Sequence, residues 1–166
     1  MPIPTLTQAL SNVSANTDLL AIRNALSPIY DRFNSCAHNS AGLVIKTGGS
    51  TLAKTGSTAW YGTAKGVSNA IAAATDMPVL VGSITAAYFN VFCFFIDSAG
   101  TVTAAMGREG ASLAAVDFPD FPLGKALVGY LVVTHSSTFV GGTTALDTAT
   151  TVYVSPIGPF NPNALL

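Results

Sequence analysis

Residues Phe89 to Ile96 read Phe-Asn-Val-Phe-Cys-Phe-Phe-Ile, a β-prone run without a single charge. Successive side chains of a strand point to opposite faces, so Phe89, Val91, Cys93 and Phe95 line one side and Phe92, Phe94 and Ile96 the other. Both faces are apolar, and such a strand must be covered on both sides. Residues Ala126 to Thr134 repeat the pattern, with Leu127, Leu131 and Val133 opposed to Val128, Tyr130 and Val132. An uncharged, β-prone segment on an open edge invites pairing with other chains, so both runs belong in a core or an interface. Asp97-Ser98-Ala99-Gly100 supplies the turn of a hairpin running from Tyr88 to Met106.

The spacing of Val, Ile, Thr and aromatic residues between Gly, Pro and Asp-Ser punctuation predicts strands over 43–47, 51–54, 59–64, 68–73, 79–81, 84–96, 101–106, 111–116, 126–134, 138–140 and 151–154. Many short strands around two doubly covered ones predict a mainly β fold, an antiparallel β-sandwich or jelly roll preceded by a short N-terminal helical arm. Three regions follow: an arm over 1–41, a β body over 42–155 and an extended proline-rich tail over 156–166. In the tail, Pro156, Pro159 and Pro162 remove backbone donors, while Ile157, Phe160, Leu165 and Leu166 have no evident strand partner. It is expected to lie extended over a neighbouring surface, with Phe160 as a contact residue.

The arm carries a different period. Leu19, Ile22, Leu26, Ile29 and Phe33 follow a 3-4-3-4 spacing that sets all five on one helical seam. Asn16 or Thr17 suits the N-cap, and Asp18 suits the first turn. Pro28 removes one helical hydrogen bond and crowds the preceding turn, which predicts an end or kink near Ser27. Two readings of the seam stand side by side: packing on the chain's own body, or docking on another surface, including a second copy. So short a helix is marginal alone and needs a surface either way.

Charge sharpens the second reading. Only 15 of the 166 residues are Asp, Glu, Lys or Arg, whereas a soluble domain carries about a quarter. Neutral residues take over the surface: 33 Ser and Thr, 25 Ala and 15 Gly. A skin of this kind suits a chain held within an assembly. Seven basic residues, scattered singly, form no stripe for a phosphate backbone and no polybasic patch for anionic lipid, so neither nucleic acid nor a membrane is expected as a partner. The longest apolar run, Val91 to Ile96, is far short of the roughly 20 residues of a spanning helix. The Met-Pro-Ile-Pro start resembles no secretory leader, which predicts a cytosolic origin, where Cys36 and Cys93 are expected to stay reduced.

The sequence supplies no constellation for chemistry. Gly49-Ser50, Gly56-Ser57 and Gly82-Ser83 lack the second glycine of a nucleophile elbow, and Gly124-Lys125 lacks the rest of a phosphate loop. His38 and His135 have no paired ligand at metal-site spacing. Asp117 and Asp120 bracket Pro119 and fit a solvated proline loop better than a glycosidase pair. No catalytic residue, metal or cofactor is expected, and the chain is not expected to be an enzyme. Trp60 and Tyr61 are the aromatic candidates for a core, a subunit contact or stacking on a sugar.

The stretches Leu43-Val44-Ile45-Lys46-Thr47-Gly48-Gly49, Ala53-Lys54-Thr55-Gly56, Thr75-Asp76-Met77-Pro78, Phe89-Asn90-Val91-Phe92, Asp97-Ser98-Ala99-Gly100-Thr101, Pro122-Leu123-Gly124-Lys125-Ala126 and Phe139-Val140-Gly141-Gly142-Thr143-Thr144-Ala145-Leu146-Asp147 carry a resemblance. Over residues 42–154 the chain resembles small virion structural proteins of tailed bacteriophages. The resemblance implies a role class and no active-site residue. Together with the low charge it leads to the expectation of a capsid cement or decoration protein, a homotrimer on the outer face of the phage head that stabilises contacts between major capsid protein subunits. The alternative is a head or tail fibre, an adhesion module that binds a host-surface glycan. Leu19, Ile22, Leu26, Ile29, Phe33, Trp60, Tyr61 and Phe160 are the expected interface residues.

Overall fold

The structure is a computed structural model that describes residues 17–160, with side-chain surroundings from Leu20 onward. Asn16, Pro162, Leu165 and Leu166 lie outside the described residues, as do the side chains of Thr17, Asp18 and Leu19. The first described element is helix α1 (Thr17–Asn34). Among the described residues eleven strands follow: β1 (Cys36–Ala37), β2 (Val44–Ile45), β3 (Ala53–Lys54), β4 (Trp60–Ala64), β5 (Val67–Ile71), β6 (Ser83–Ile84), β7 (Phe89–Ile96), β8 (Val102–Met106), β9 (Ala126–Thr134), β10 (Phe139–Val140) and β11 (Thr150–Val154). The fold is mainly β, a sandwich of antiparallel sheets with a short helical arm at its N-terminal side.

The main sheet has the order β11-β9-β7-β8, every pair antiparallel. The two strands read as doubly covered are therefore its centre. One core lies on the face of Phe92, Phe94 and Ile96, where Trp60, Ala64 and Ile71 of the three-stranded sheet β1-β4-β5 pack against them. A second core lies on the face of Val91, Cys93 and Phe95. Seven consecutive residues of β7, Asn90 to Ile96, are buried. Each buried Phe, Ile or Val contributes on the order of 1.5–3 kcal/mol of transfer free energy. Asn90, the polar member, is satisfied: its Nδ2 donates to the Gly107 carbonyl at 3.1 Å and its Oδ1 accepts from the Val91 N–H at 2.7 Å.

The faces of β9 differ from simple alternation. Phe94 pairs with Gly129 but Phe95 pairs with Leu127, which leaves Val128 as an extra residue. This bulge flips the parity of the strand's first part, so Val128 joins Leu131 and Val133 in the first core, and Leu127 joins Tyr130 in the second. Gly129 sits where a Cβ would meet Leu43 Cδ1 at 2.6 Å and the Val154 carbonyl at 2.7 Å.

Other expectations change as well. Residues 79–81 are not a strand, and the segment over 111–116 holds a short 3-10 turn, Leu113–Ala115. Cys36–Ala37 pairs with β4, so residues ahead of 42 already belong to the body's sheet. The helix does not stop at Ser27 but runs through Pro28 to Asn34. Every residue from Leu20 to Tyr30 is exposed, so water is free to bond the Asn24 carbonyl that Pro28 leaves unpaired.

Candidate interaction surface

Helix α1 is fastened to the body at its C-terminal end alone among the described residues. Both carboxylate oxygens of Asp31 accept from the Gly124 N–H, at 2.9 and 3.0 Å. Arg32 donates from Nη2 to the Phe121 carbonyl at 3.1 Å, and its guanidinium carbon sits 4.7 Å from the centre of the Phe121 ring. Burial lowers the Arg32 pKa, and the neighbouring Asp31 charge acts in the opposite direction. The last carbonyls of the helix are capped: Asn34 Nδ2 donates to Tyr30 O at 3.0 Å, and the Gly66 N–H donates to Asn34 O at 2.8 Å. The Lys65 N–H donates to Ser35 Oγ at 2.9 Å.

Phe121 in turn belongs to an aromatic cluster on the second core. Its ring meets Phe95 edge-on at 5.1 Å and stacks with Phe160 at 5.6 Å. Phe118 meets Tyr130 at 5.1 Å and Phe160 at 5.6 Å, both edge-on. Burial raises the Tyr130 pKa, with the nearby Cys93 thiol adding to the effect. A continuous set of contacts thus joins the helix base to the centre of the main sheet.

Among the described residues the seam is left uncovered. Ile22, Leu26, Ile29 and Phe33 are 50%, 40%, 55% and 66% exposed, and nothing in the body covers them. At 3.6 residues per turn, Asp31 lies on nearly the opposite side of the helix from this seam, so the body holds α1 by its back. Leu20 and Tyr30 are further exposed apolar residues of α1; Tyr30 flanks the seam and Leu20 lies off it.

The remaining expected contact residues separate. Tyr61 is exposed on β4. Trp60, its neighbour, is wholly buried in the first core, because adjacent strand residues face opposite ways, and this corrects its assignment to the contact surface. Phe160 is half-buried and packs on this chain's own second core, while the Gly158 N–H donates to Ala37 O at 2.7 Å. Sequence reasoning missed the anchors Asp31, Arg32, Phe121 and Gly124, since a cation over an aromatic ring some 90 residues away leaves no local pattern. It also missed Val79, Val81 and Val140, exposed valines on adjoining segments where the Gly141 N–H donates to Gly82 O at 2.8 Å.

Polar groups elsewhere are dispersed. A shallow depression of about 310 Å³ is lined by Ala87, Thr134, His135, Ser136, Thr148 and Thr150, and this lining offers His135 no carboxylate. Asp117 and Asp120 are exposed, with Asp117 in a backbone pair with Arg108. Among the described residues, no three His, Cys, Asp or Glu side chains come together as a metal site, and no helix is long and apolar enough to cross a membrane. Lys46 and Asp76 form an ion pair on the surface. Cys36 and Cys93 are both free thiols. No protein-family model, curated protein or solved structure matches this chain.

Proposed function

We propose that this chain is a structural subunit of a tailed-phage virion, a capsid cement or decoration protein. In this reading the charge-poor β body rests on the outer surface of the head where major capsid protein subunits meet, and it stabilises their contacts. The observation that carries the reading is the uncovered apolar seam of α1, held outward by Asp31 and Arg32 on a body with few charges. An apolar stripe so presented is completed by another chain, because burying it recovers about 25 cal/mol per Å². Repetition over a symmetric shell multiplies modest contacts into a strong one. Few charges take part, so attachment should depend weakly on salt.

The reading is tested on purified particles with and without this chain. The chain co-purifies with heads, and heads lacking it lose integrity at lower temperature; absence from heads, or unchanged heat resistance, overturns the proposal. The fibre or adhesion alternative is weaker, because burial of Trp60 leaves Tyr61 as the single exposed member of the aromatic pair. Tyr61→Ala with normal assembly and lost attachment to cells would favour it.

A further inference from the structure

We propose that α1 is the self-association element: three copies of this chain join through a parallel, in-register helix bundle whose seam is Leu19, Ile22, Leu26, Ile29 and Phe33. The proposal rests on the reading of the chain as an assembly subunit and names the occupant of the seam as further copies of the chain, leaving the body for the shell.

The spacing places Leu19, Leu26 and Phe33 at the first position of successive heptads and Ile22 and Ile29 at the fourth. A seam with this period fits the equivalent seam of another helix, knob into hole. Leu at the first position with Ile at the fourth disfavours the two-stranded coil and shifts preference to higher order. The closed ring with the fewest copies above two is a trimer. Charge complementarity gives the direction. The register sets Asp18 at the flanking position five residues ahead of Arg23, the relationship that pairs opposite charges between parallel, in-register helices. An antiparallel arrangement brings Asp18 instead toward the other end of its partner, where Arg32 is already committed to Phe121.

The way the body holds the helix agrees with this. Asp31 faces Gly124 from the side opposite the seam, so three bodies sit around the outside of the bundle without covering its centre. Pro28 also lies away from the seam, where its lost hydrogen bond opens to water and disturbs no interhelical contact. Two heptads are short for a free coiled coil, but the capped, anchored base removes much of the fraying that limits isolated helices.

The test uses the full chain in solution. Light scattering coupled to size exclusion is expected to give three times the 16.9 kDa chain mass. The double substitution Ile22→Asp and Leu26→Asp, at positions exposed in the single chain, is expected to lower that mass threefold while the thermal transition of the β body is retained. A monomeric wild type at all concentrations, or a trimer that survives the double substitution, overturns the proposal. Ile22→Cys in a Cys36→Ser background adds the direction: oxidation should link residue 22 of one copy to residue 22 of another, and failure to cross-link in a trimer rejects the parallel register. A monomer that still decorates heads overturns this inference alone; a trimer absent from virions overturns the virion reading alone.

Discussion

Arg32 lays its guanidinium over the ring of Phe121, 4.7 Å from its centre, and donates to the carbonyl of the same residue at 3.1 Å. One side chain thus ties the base of α1 to the aromatic cluster over the main sheet. Arg32→Ala removes both interactions and is expected to destabilise the fold by about 1–3 kcal/mol. Arg32→Lys should recover part of this, since an ammonium keeps the charge but not the planar stacking. Asn24→Ala, on the exposed stretch of the helix and away from its apolar seam, should stay within about 0.5 kcal/mol in the same urea titrations. Equal effects at Asn24 and Arg32 would remove Arg32 as the anchor.

Gly129 is the tight point of the bulge in β9. A methyl group there would stand 2.6 Å from Leu43 Cδ1 and 2.7 Å from the Val154 carbonyl, so backbone must move to admit it. Gly129→Ala should cost roughly 1–3 kcal/mol, read as a lower denaturation midpoint. A neutral result would mean that β11 does not lie against β9 as described.

Trp60 and Tyr61 should behave oppositely despite being neighbours. Trp60→Ala empties a core position and should cost about 3–5 kcal/mol, whereas Tyr61→Ala should change stability by less than about 0.5 kcal/mol. The Trp60 Nε1 is buried with no hydrogen-bond partner among the described residues, so Trp60→Phe, which removes that N–H, should be far milder than Trp60→Ala. Fluorescence-monitored unfolding, with circular dichroism for the Trp60 variants, ranks all three.

Acid should act through Glu109. Its carboxylate accepts from the Thr85 N–H and from Thr85 Oγ1, both at 2.7 Å, and these bonds hold its pKa below the ordinary 4.5. The folded state therefore binds this proton less readily than the unfolded chain. The stabilisation is present above pH 4.5 and is lost as pH falls through that value toward the lower folded one. Glu109→Gln should flatten this part of the stability profile while leaving the neutral-pH fold intact. A profile unchanged by Glu109→Gln would show that the acid response comes from other groups.

The two thiols should separate by reactivity. Cys93 is buried in the second core, and burial pushes its pKa far above the usual thiol range, so it should be inert to a thiol-reactive dye in the folded protein. Cys36 is half-buried and should react slowly. Mass spectrometry should find one modified cysteine in native protein and two after unfolding; rapid native labelling of Cys93 would contradict the burial of β7.

Legibility in the sequence followed the range of the interactions. The centre of the main sheet was readable because Phe89–Ile96 and Ala126–Thr134 are predominantly apolar on both faces, which leaves them no position but the middle. The faces of β9 were not readable beyond Gly129, since a bulge is set by pairing between strands. Two-residue strands such as β1 and β6 are too short to carry a period. The seam of α1 was legible residue by residue, but its exposure was not: packing on the body and projection from it require the same spacing. The helix's continuation through Pro28 depends on solvent access, which a sequence does not display. Trp60 illustrates the opposite case, because strand alternation already requires that one of Trp60 and Tyr61 face inward. The cluster of Phe118, Phe121 and Phe160 comes from proline-rich segments without periodicity, and only the folded chain brings them together.

The most direct measurement is a cryo-electron microscopy reconstruction of the intact virion at a resolution that traces strands. The account predicts the β body on the outer surface of the head, seated where major capsid subunits meet, with the α1 helices of three copies gathered at a common axis. Density for this chain at the tail alone, or a head without it, would contradict the account.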